Sequence, residues 1–323
     1  MDDFTQDDLR NLMSRWLEPE RIPKRFRIVT DTTDFYRVDY DDVAIFEGRP
    51  YLIRNVEKEG RFGIDEQPKF WVKRAIDLIT GETKIIKLVF WERFTAKVGG
   101  ISFECFRSPK KEARILDLVR GQPNFMQGFS VEDSVGNLIR VIDYIRGKTL
   151  SDLVFSINKP HEEYFYEDLP SLLKSYMGII DAVRFLHNHG EKHGDIRRDH
   201  ILKDSKTGDY KWIDFDFNYY HGENKFGYDL FGLGNILIFL VGGGDVTIQN
   251  LADRPDILNS INERDTNIIF HNRISNLKKV YPYIPDELNY ILLHFSNGAD
   301  VFYESTDEML FDMEKALSGI TRS

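Results

Sequence analysis

Leu9, Leu12, Met13 and Trp16 fall at i, i+3, i+4 and i+7, the spacing of one helix face. Thr5 is placed to cap that helix, and Pro19 and Pro23 prevent it from continuing. Such a face packs on its own domain or docks on a protein partner. Between residues 26 and 90 the pattern changes to short aromatic and β-branched stretches, at 36–40, 43–46, 51–56, 70–79 and 84–91. Glu47-Gly48 and Thr80-Gly81-Glu82 supply turns. Residues 110–119 read as a helix opened by Ser108-Pro109, an N-cap followed by proline at the first helical position. Two more strands are expected at 126–131 and 138–145, and after Gly147 the pattern is helical at 169–187, 228–240, 285–295 and 305–317. The expectation is an α+β chain of two lobes with a cleft between them. The N-terminal lobe is β-rich with one helix, and the C-terminal lobe is mostly helical.

The bulk numbers narrow the function. With 323 residues the chain is long enough for two domains or one large bilobal one. Its net charge of −10 argues against a nucleic-acid backbone as main partner. A single cysteine excludes a disulfide framework and any cysteine-built zinc site. The longest apolar run, 236–241, is six residues, far below the roughly 20 needed to span a bilayer. The acidic start MDDFTQDD is unlike a signal peptide, so a soluble, cytoplasmic protein is expected.

The candidate chemistry lies in residues 185–217, FLHNHGEKHGDIRRDHILKDSKTGDYKWIDFDF. An amphipathic helix ends at Leu186-His187, Gly190 turns the chain, and Asp195 follows in a polar loop. Two short strands then flank the turn 205–209, and Asp214 stands at the end of the second. Two carboxylates on either side of a hairpin can converge, one orienting a hydroxyl and the other holding a divalent metal.

In these residues the chain resembles the protein-kinase superfamily. His193-Gly194-Asp195-Ile196-Arg197-Arg198-Asp199-His200 resembles the catalytic loop H-R-D-L-K-x-x-N, and Asp214-Phe215-Asp216 stands where D-F-G would be. Lys87 fits the third-strand lysine and Glu112 its helix partner. The stretch 141–145 resembles the hinge, and Asp229-Leu230-Phe231-Gly232-Leu233-Gly234 the helix that anchors the large lobe. The resemblance covers roughly 51–319 and implies three parts: an N-terminal extension at 1–50, an N-lobe at 51–145 and a C-lobe at 146–323. It implies an ATP- and Mg²⁺-dependent phosphotransferase of the Ser/Thr kinase type. Asp195 would align or deprotonate the hydroxyl and Arg197 would offer a fixed charge. Lys87, oriented by Glu112, would hold the α- and β-phosphates, Gly60 and Gly63 would approach them, and the backbone of Asp143 and Ile145 would meet the adenine. Asp214 would bind the metal, with His200 as a further ligand or a structural hydrogen-bonder.

The chain departs from that pattern in four places. The glycine loop 58–63 keeps two of three glycines, and 64–69 reads as an insertion after it. His200 replaces an Asn, which shifts a second metal site toward Mn²⁺. Asp216 replaces a Gly, where a left-handed backbone is expected and its carboxylate binds metal or faces solvent. The segment from Asp214 to Asp229 is short and without Ser or Thr, and Gly194 stands where an Arg would meet an activating phosphate, so no Ser/Thr phosphorylation switch is expected there. Short segments with HGD are similar to those of the RIO, lipopolysaccharide-core, choline and aminoglycoside kinases. The acceptor is therefore a protein or a small hydroxyl-bearing molecule, and a pseudokinase scaffold is the non-enzymatic alternative. His193 and Phe215 read as core residues, His187 and His189 as helix-end residues, Cys105 as unreactive, and Lys110-Lys111 as a solvated helix start.

Overall fold

The computed structural model describes residues 4–61, 64–98, 101–220 and 224–320. They form two compact units, one of Met1–Glu92, Arg107–Gln122 and Met126–Ile145, the other of Arg93–Phe106, Pro123–Phe125 and Arg146–Ser323.

The first unit opens with α1 (Gln6–Met13). The Thr5 hydroxyl accepts from the Asp8 N–H while the Asp8 carboxylate accepts from the Thr5 N–H at 2.9 Å, a reciprocal cap. Leu9, Leu12 and Met13 are buried with Phe26, Val43, Leu52 and Leu78. Three of the four residues of that face are therefore packed within their own unit, while Trp16 stays 44% exposed. Trp16 lies beyond the helix end, its indole N–H donating to the Leu78 carbonyl at 3.0 Å.

Strands β1 (Ile28–Val29), β2 (Val43–Phe46), β3 (Arg49–Arg61), β4 (Ile64–Asp77) and β5 (Thr83–Lys87) follow. The chain then makes β6 (Arg93–Val98) and β7 (Ile101–Arg107), which belong to the second unit, before returning through α2 (Pro109–Leu118), β8 (Gly128–Glu132) and β9 (Leu138–Asp143). The seven strands of the first unit run in the order β1-β2-β3-β4-β5-β9-β8. All their pairs are antiparallel except β1–β2. Val38, Phe46, Tyr51, Ile53, Ile86 and Ile139 form the core beneath the sheet.

Three expectations change here. Residues 36–40 are not a strand: Asp34 accepts from the Tyr36 N–H at 3.1 Å and folds Phe35–Arg37 into a 3₁₀ turn. Residues 64–69 are not an insertion but the first half of β4, paired to β3 through Lys58↔Pro68 and Glu59↔Gln67. Gly60 accordingly sits in extended backbone within β3, and Gly63 lies outside the described residues. Lys111 is not solvated but buried on the same side of α2 as Glu112 and Ile115, although Ser108 caps the helix as expected.

The second unit holds two small sheets and the remaining helices. Strand β10 (Gly147–Thr149) leads into α3 (Leu150–Phe155), α4 (His161–Glu167) and α5 (Leu169–Asn188). Strands β11 (Ile201–Asp204) and β12 (Tyr210–Trp212) join β10 in the order β10-β11-β12. Then come β13 (Phe217–Tyr220), α6 (Gly227–Val241), α7 (Pro255–Ser260), α8 (Asp286–Leu293) and α9 (Thr306–Ile320). Strand β13 pairs with the inserted β6–β7 pair in the order β13-β7-β6. Helix α6 is apolar almost all round because it is enclosed, with Leu230, Leu233, Leu237 and Leu240 buried. Gly232 lets it approach the polar loop: a Cβ there would stand 2.5 Å from the Ile196 side chain and 2.9 Å from its carbonyl. The chain is thus α+β, with one unit built on a sheet and the other largely helical. Among the described residues no helix is long and apolar enough to cross a membrane.

Candidate active site

In the first unit, β5, α2 and β9 bring three charges together. Lys87 Nζ donates to Glu112 Oε1 at 2.6 Å, and Arg140 Nε donates to Glu112 Oε2 at 3.1 Å. All three side chains are buried, and the Arg140 fork is further satisfied by the Leu138 and Leu88 carbonyls at 2.9 and 3.3 Å. The pairing of Lys87 with Glu112 follows the sequence expectation. Arg140 was missed, since a lone arginine in an apolar strand gives no local sign of the carboxylate it faces across the sheet. At the end of β9 the Asp143 N–H donates to the Gln127 carbonyl at 2.9 Å, and its carboxylate accepts from Lys84 Nζ at 2.7 Å. Ile145 lies two residues beyond that strand.

In the second unit the loop after α5 carries the remaining candidates. Its backbone is held from below by Asp229, a fully buried residue of α6. The Asp229 carboxylate accepts from the His193 N–H at 2.8 Å, from the Gly194 N–H at 2.9 Å and from His187 Nε2 at 3.1 Å. Burial alone would raise the Asp229 carboxyl, but the His187 bond, the two neighbouring histidines and the Gly194 N–H hold it below the ordinary carboxylate range. Gly194 has φ +89°, a left-handed conformation that favours glycine, so the missing arginine has a backbone reason. His193 packs edge-on to Trp212 and Phe215 in the core, as expected.

Asp195, His200 and Asp214 converge. His200 Nδ1 lies 2.9 Å from the Asp195 carbonyl oxygen, which can only accept, so Nδ1 carries the proton. Nε2 stands 3.6 Å from Asp214 Oδ2, and Nδ1 is also 3.6 Å from Asp195 Oδ2. Asp214 itself has φ +68°, so the left-handed residue of the segment is Asp214 rather than Asp216. Asp216 is buried and does not face solvent. Arg197 turns its guanidinium on Asp199, with Nε and Nη2 at 3.1 and 2.5 Å from its two oxygens. Burial works against the Asp199 charge, but His200 and Arg197 keep its carboxyl below the ordinary range.

Asp214 offers a carboxylate oxygen and His200, when its ring is neutral, an imidazole nitrogen, donor types that suit a divalent cation, the imidazole favouring the softer Mn²⁺ over Mg²⁺. Among the described residues no three His, Cys, Asp or Glu side chains form a ready-made metal cage.

Lys87 and Glu112 of the first cluster and Asp195 and Asp214 of the second are residues in which the sequence resembles protein kinases. No protein-family model matches it. It is 31% identical over 144 residues to CBL-interacting serine/threonine-protein kinase 17 of Arabidopsis thaliana, covering 45% of this chain and 30% of that protein. It is 22% identical over 184 residues to calcium-dependent protein kinase 27 of the same plant, covering 56% and 35%. A human SNF-related serine/threonine-protein kinase is 26% identical over 155 residues, covering 48% and 18%. Among solved structures, the PknI kinase domain of Mycobacterium tuberculosis aligns with a TM-score of 0.46 at 14% identity, covering 84% of this chain and 97% of that one. In sequence the chain is thus similar to serine/threonine protein kinases, and it spans only about a third or less of the length of these relatives.

Proposed function

We propose that the chain is an ATP- and divalent-metal-dependent phosphotransferase that moves the γ-phosphoryl group of ATP to a hydroxyl, in the manner of Ser/Thr protein kinases. The observation that carries the reading is the convergence of Asp195, His200 and Asp214 on a loop whose backbone Asp229 clamps. Phosphoryl transfer asks for positioning and charge neutralisation more than for covalent chemistry. Asp195 is the acceptor-side group: its carboxylate orients the incoming hydroxyl and takes its proton as the new P–O bond forms and the bond from the γ-phosphorus to the bridging oxygen breaks, releasing ADP. Asp214 and His200 would hold the metal, which would supply neutralisation of phosphate charge. Lys87, aimed by Glu112, binds the α- and β-phosphates. Arg140 shares Glu112 and fixes the carboxylate from its other oxygen. The Asp143 N–H is spent on Gln127, so the adenine contact of this strand end falls to the Asp143 carbonyl and the Ile145 backbone.

A second reading, nucleotide binding without turnover, is favoured by Arg197, whose guanidinium is engaged by Asp199. Incubating the protein with γ-labelled ATP and an extract of the source cells, then separating proteins from small molecules, tests the acceptor. Label in the protein fraction supports the protein-kinase reading, and label in small molecules assigns a small hydroxyl-bearing acceptor. ATP bound without label transfer supports the second reading.

A further inference from the structure

The short segment after Asp214 needs something to hold it. It has no Ser or Thr between Asp214 and Asp229 through which a phosphate could order it, and Gly194 offers no side chain to meet one. Yet β13 begins at Phe217, immediately after Asp216, and is fixed on two sides within the second unit. On one side lies the inserted β6–β7 pair, with β7 hydrogen-bonded to β13. Phe103 and Cys105 are buried with Tyr219, and Phe106 stacks on Tyr220 at 5.0 Å.

On the other side is Lys192, three residues before Asp195 and only 9% exposed. Its Nζ donates to the Tyr219 carbonyl at 2.5 Å and lies 3.7 Å from the centre of the Tyr219 ring, so one ammonium holds both backbone and side chain of a single residue. An ammonium is a costly choice in so enclosed a place, where an apolar side chain would pack without penalty. Burial accordingly pulls its pKa down, against the opposing charge of Asp229 and with the like charge of Lys225.

We infer that Lys192 is a positioning residue: it ties the loop carrying Asp195 to the strand that follows Asp214, holding the two carboxylates in register with no modification of the segment. This rests on the phosphotransfer reading for its purpose, but the tie can be measured without turnover. The test compares wild type, Lys192→Met, which keeps the apolar stem, and Lys192→Arg, which keeps a cationic donor. Hydrogen exchange is read at residues 214–220, and Mn²⁺ affinity in the presence of ATP is read by electron paramagnetic resonance. A hydrogen bond from a charged group is worth about a factor of ten or more. Lys192→Met should therefore speed exchange at 214–220 by about tenfold while α5 and α9 stay protected, and should weaken Mn²⁺ by a similar factor. Lys192→Arg should recover at least part of both. Exchange and Mn²⁺ affinity within twofold of wild type in Lys192→Met would overturn the assignment, as would loosening spread evenly over the second unit. If Lys192→Met does not fold, Lys192→Arg decides: protection retained at 214–220 supports the tie, and exchange there raised above that of α5 and α9 rejects it. A wild type that binds Mn²⁺ with ATP, loosens on Lys192→Met and transfers no phosphoryl group keeps the tie and removes the phosphotransfer reading.

Discussion

Replacing Asp229 by Asn tests whether the loop bearing Asp195 is held by a buried charge. The carboxylate accepts two backbone N–H groups, from His193 and Gly194, and one histidine nitrogen, all in a place without solvent. Asn keeps one acceptor oxygen but presents an NH₂ to the other side, so one buried N–H loses its partner, at about 1–3 kcal/mol. The bonds that remain lose their ionic assistance, about 1–2 kcal/mol more. The expected loss is therefore about 3 kcal/mol at pH 7, large against the roughly 5–15 kcal/mol of a folded domain but short of unfolding it. The pH dependence has a definite sign. A carboxyl whose folded pKa lies below its unfolded value near 3.9 contributes stability above that value and loses it as pH falls through the folded one. The gap between wild type and Asp229→Asn should thus be full at pH 7 and narrow below about pH 4. Urea unfolding at several pH values measures it. A gap under 1 kcal/mol at pH 7, or one that widens in acid, would refute the reasoning.

Glu112→Gln leaves Lys87 and Arg140 buried around a neutral group and should cost about 3–5 kcal/mol, by urea unfolding; adding Arg140→Met should return part of that loss, because one stranded cation is removed. Gly194→Ala forces a Cβ into a left-handed backbone and should cost about 1–2 kcal/mol, with a matching drop in melting temperature. His200→Asn exchanges an imidazole for an amide oxygen, so the ratio of transfer rates with Mn²⁺ and with Mg²⁺ should fall by about tenfold or more; an unchanged ratio removes His200 from the metal site.

How far the sequence could be read depended on how local the determinants were. The caps at Thr5 and Ser108, the periodic helices and the order of Lys87, Glu112, Asp195 and Asp214 are written in short windows, and each was legible. The β6–β7 pair was missed although Ile101, Phe103 and Cys105 alternate with polar residues after Gly99-Gly100, a hairpin signal that was there to find. The extent of β4, the burial of Lys111 and the partners of Arg140 and Lys192 are decided by residues distant in sequence. No window contains Glu112 and Arg140 as a pair, or Lys192 and Tyr219. The left-handed turn fell on Asp214 rather than Asp216 because the turn belongs to the end of β12, while Asp216 already leads into β13.

The central claim, that this chain transfers the γ-phosphoryl group of ATP using Asp195 and Asp214, is met most directly by one comparison. Purified wild type, Asp195→Asn and Asp214→Asn are incubated with γ-labelled ATP and either Mg²⁺ or Mn²⁺, with a cell extract as the source of acceptor, and transferred label is counted. The account predicts transfer by wild type with at least one metal and a fall of at least about a hundredfold in both variants, the scale of a general acid–base contribution. Label transfer that is equal in all three proteins, or absent from wild type with both metals, would contradict it.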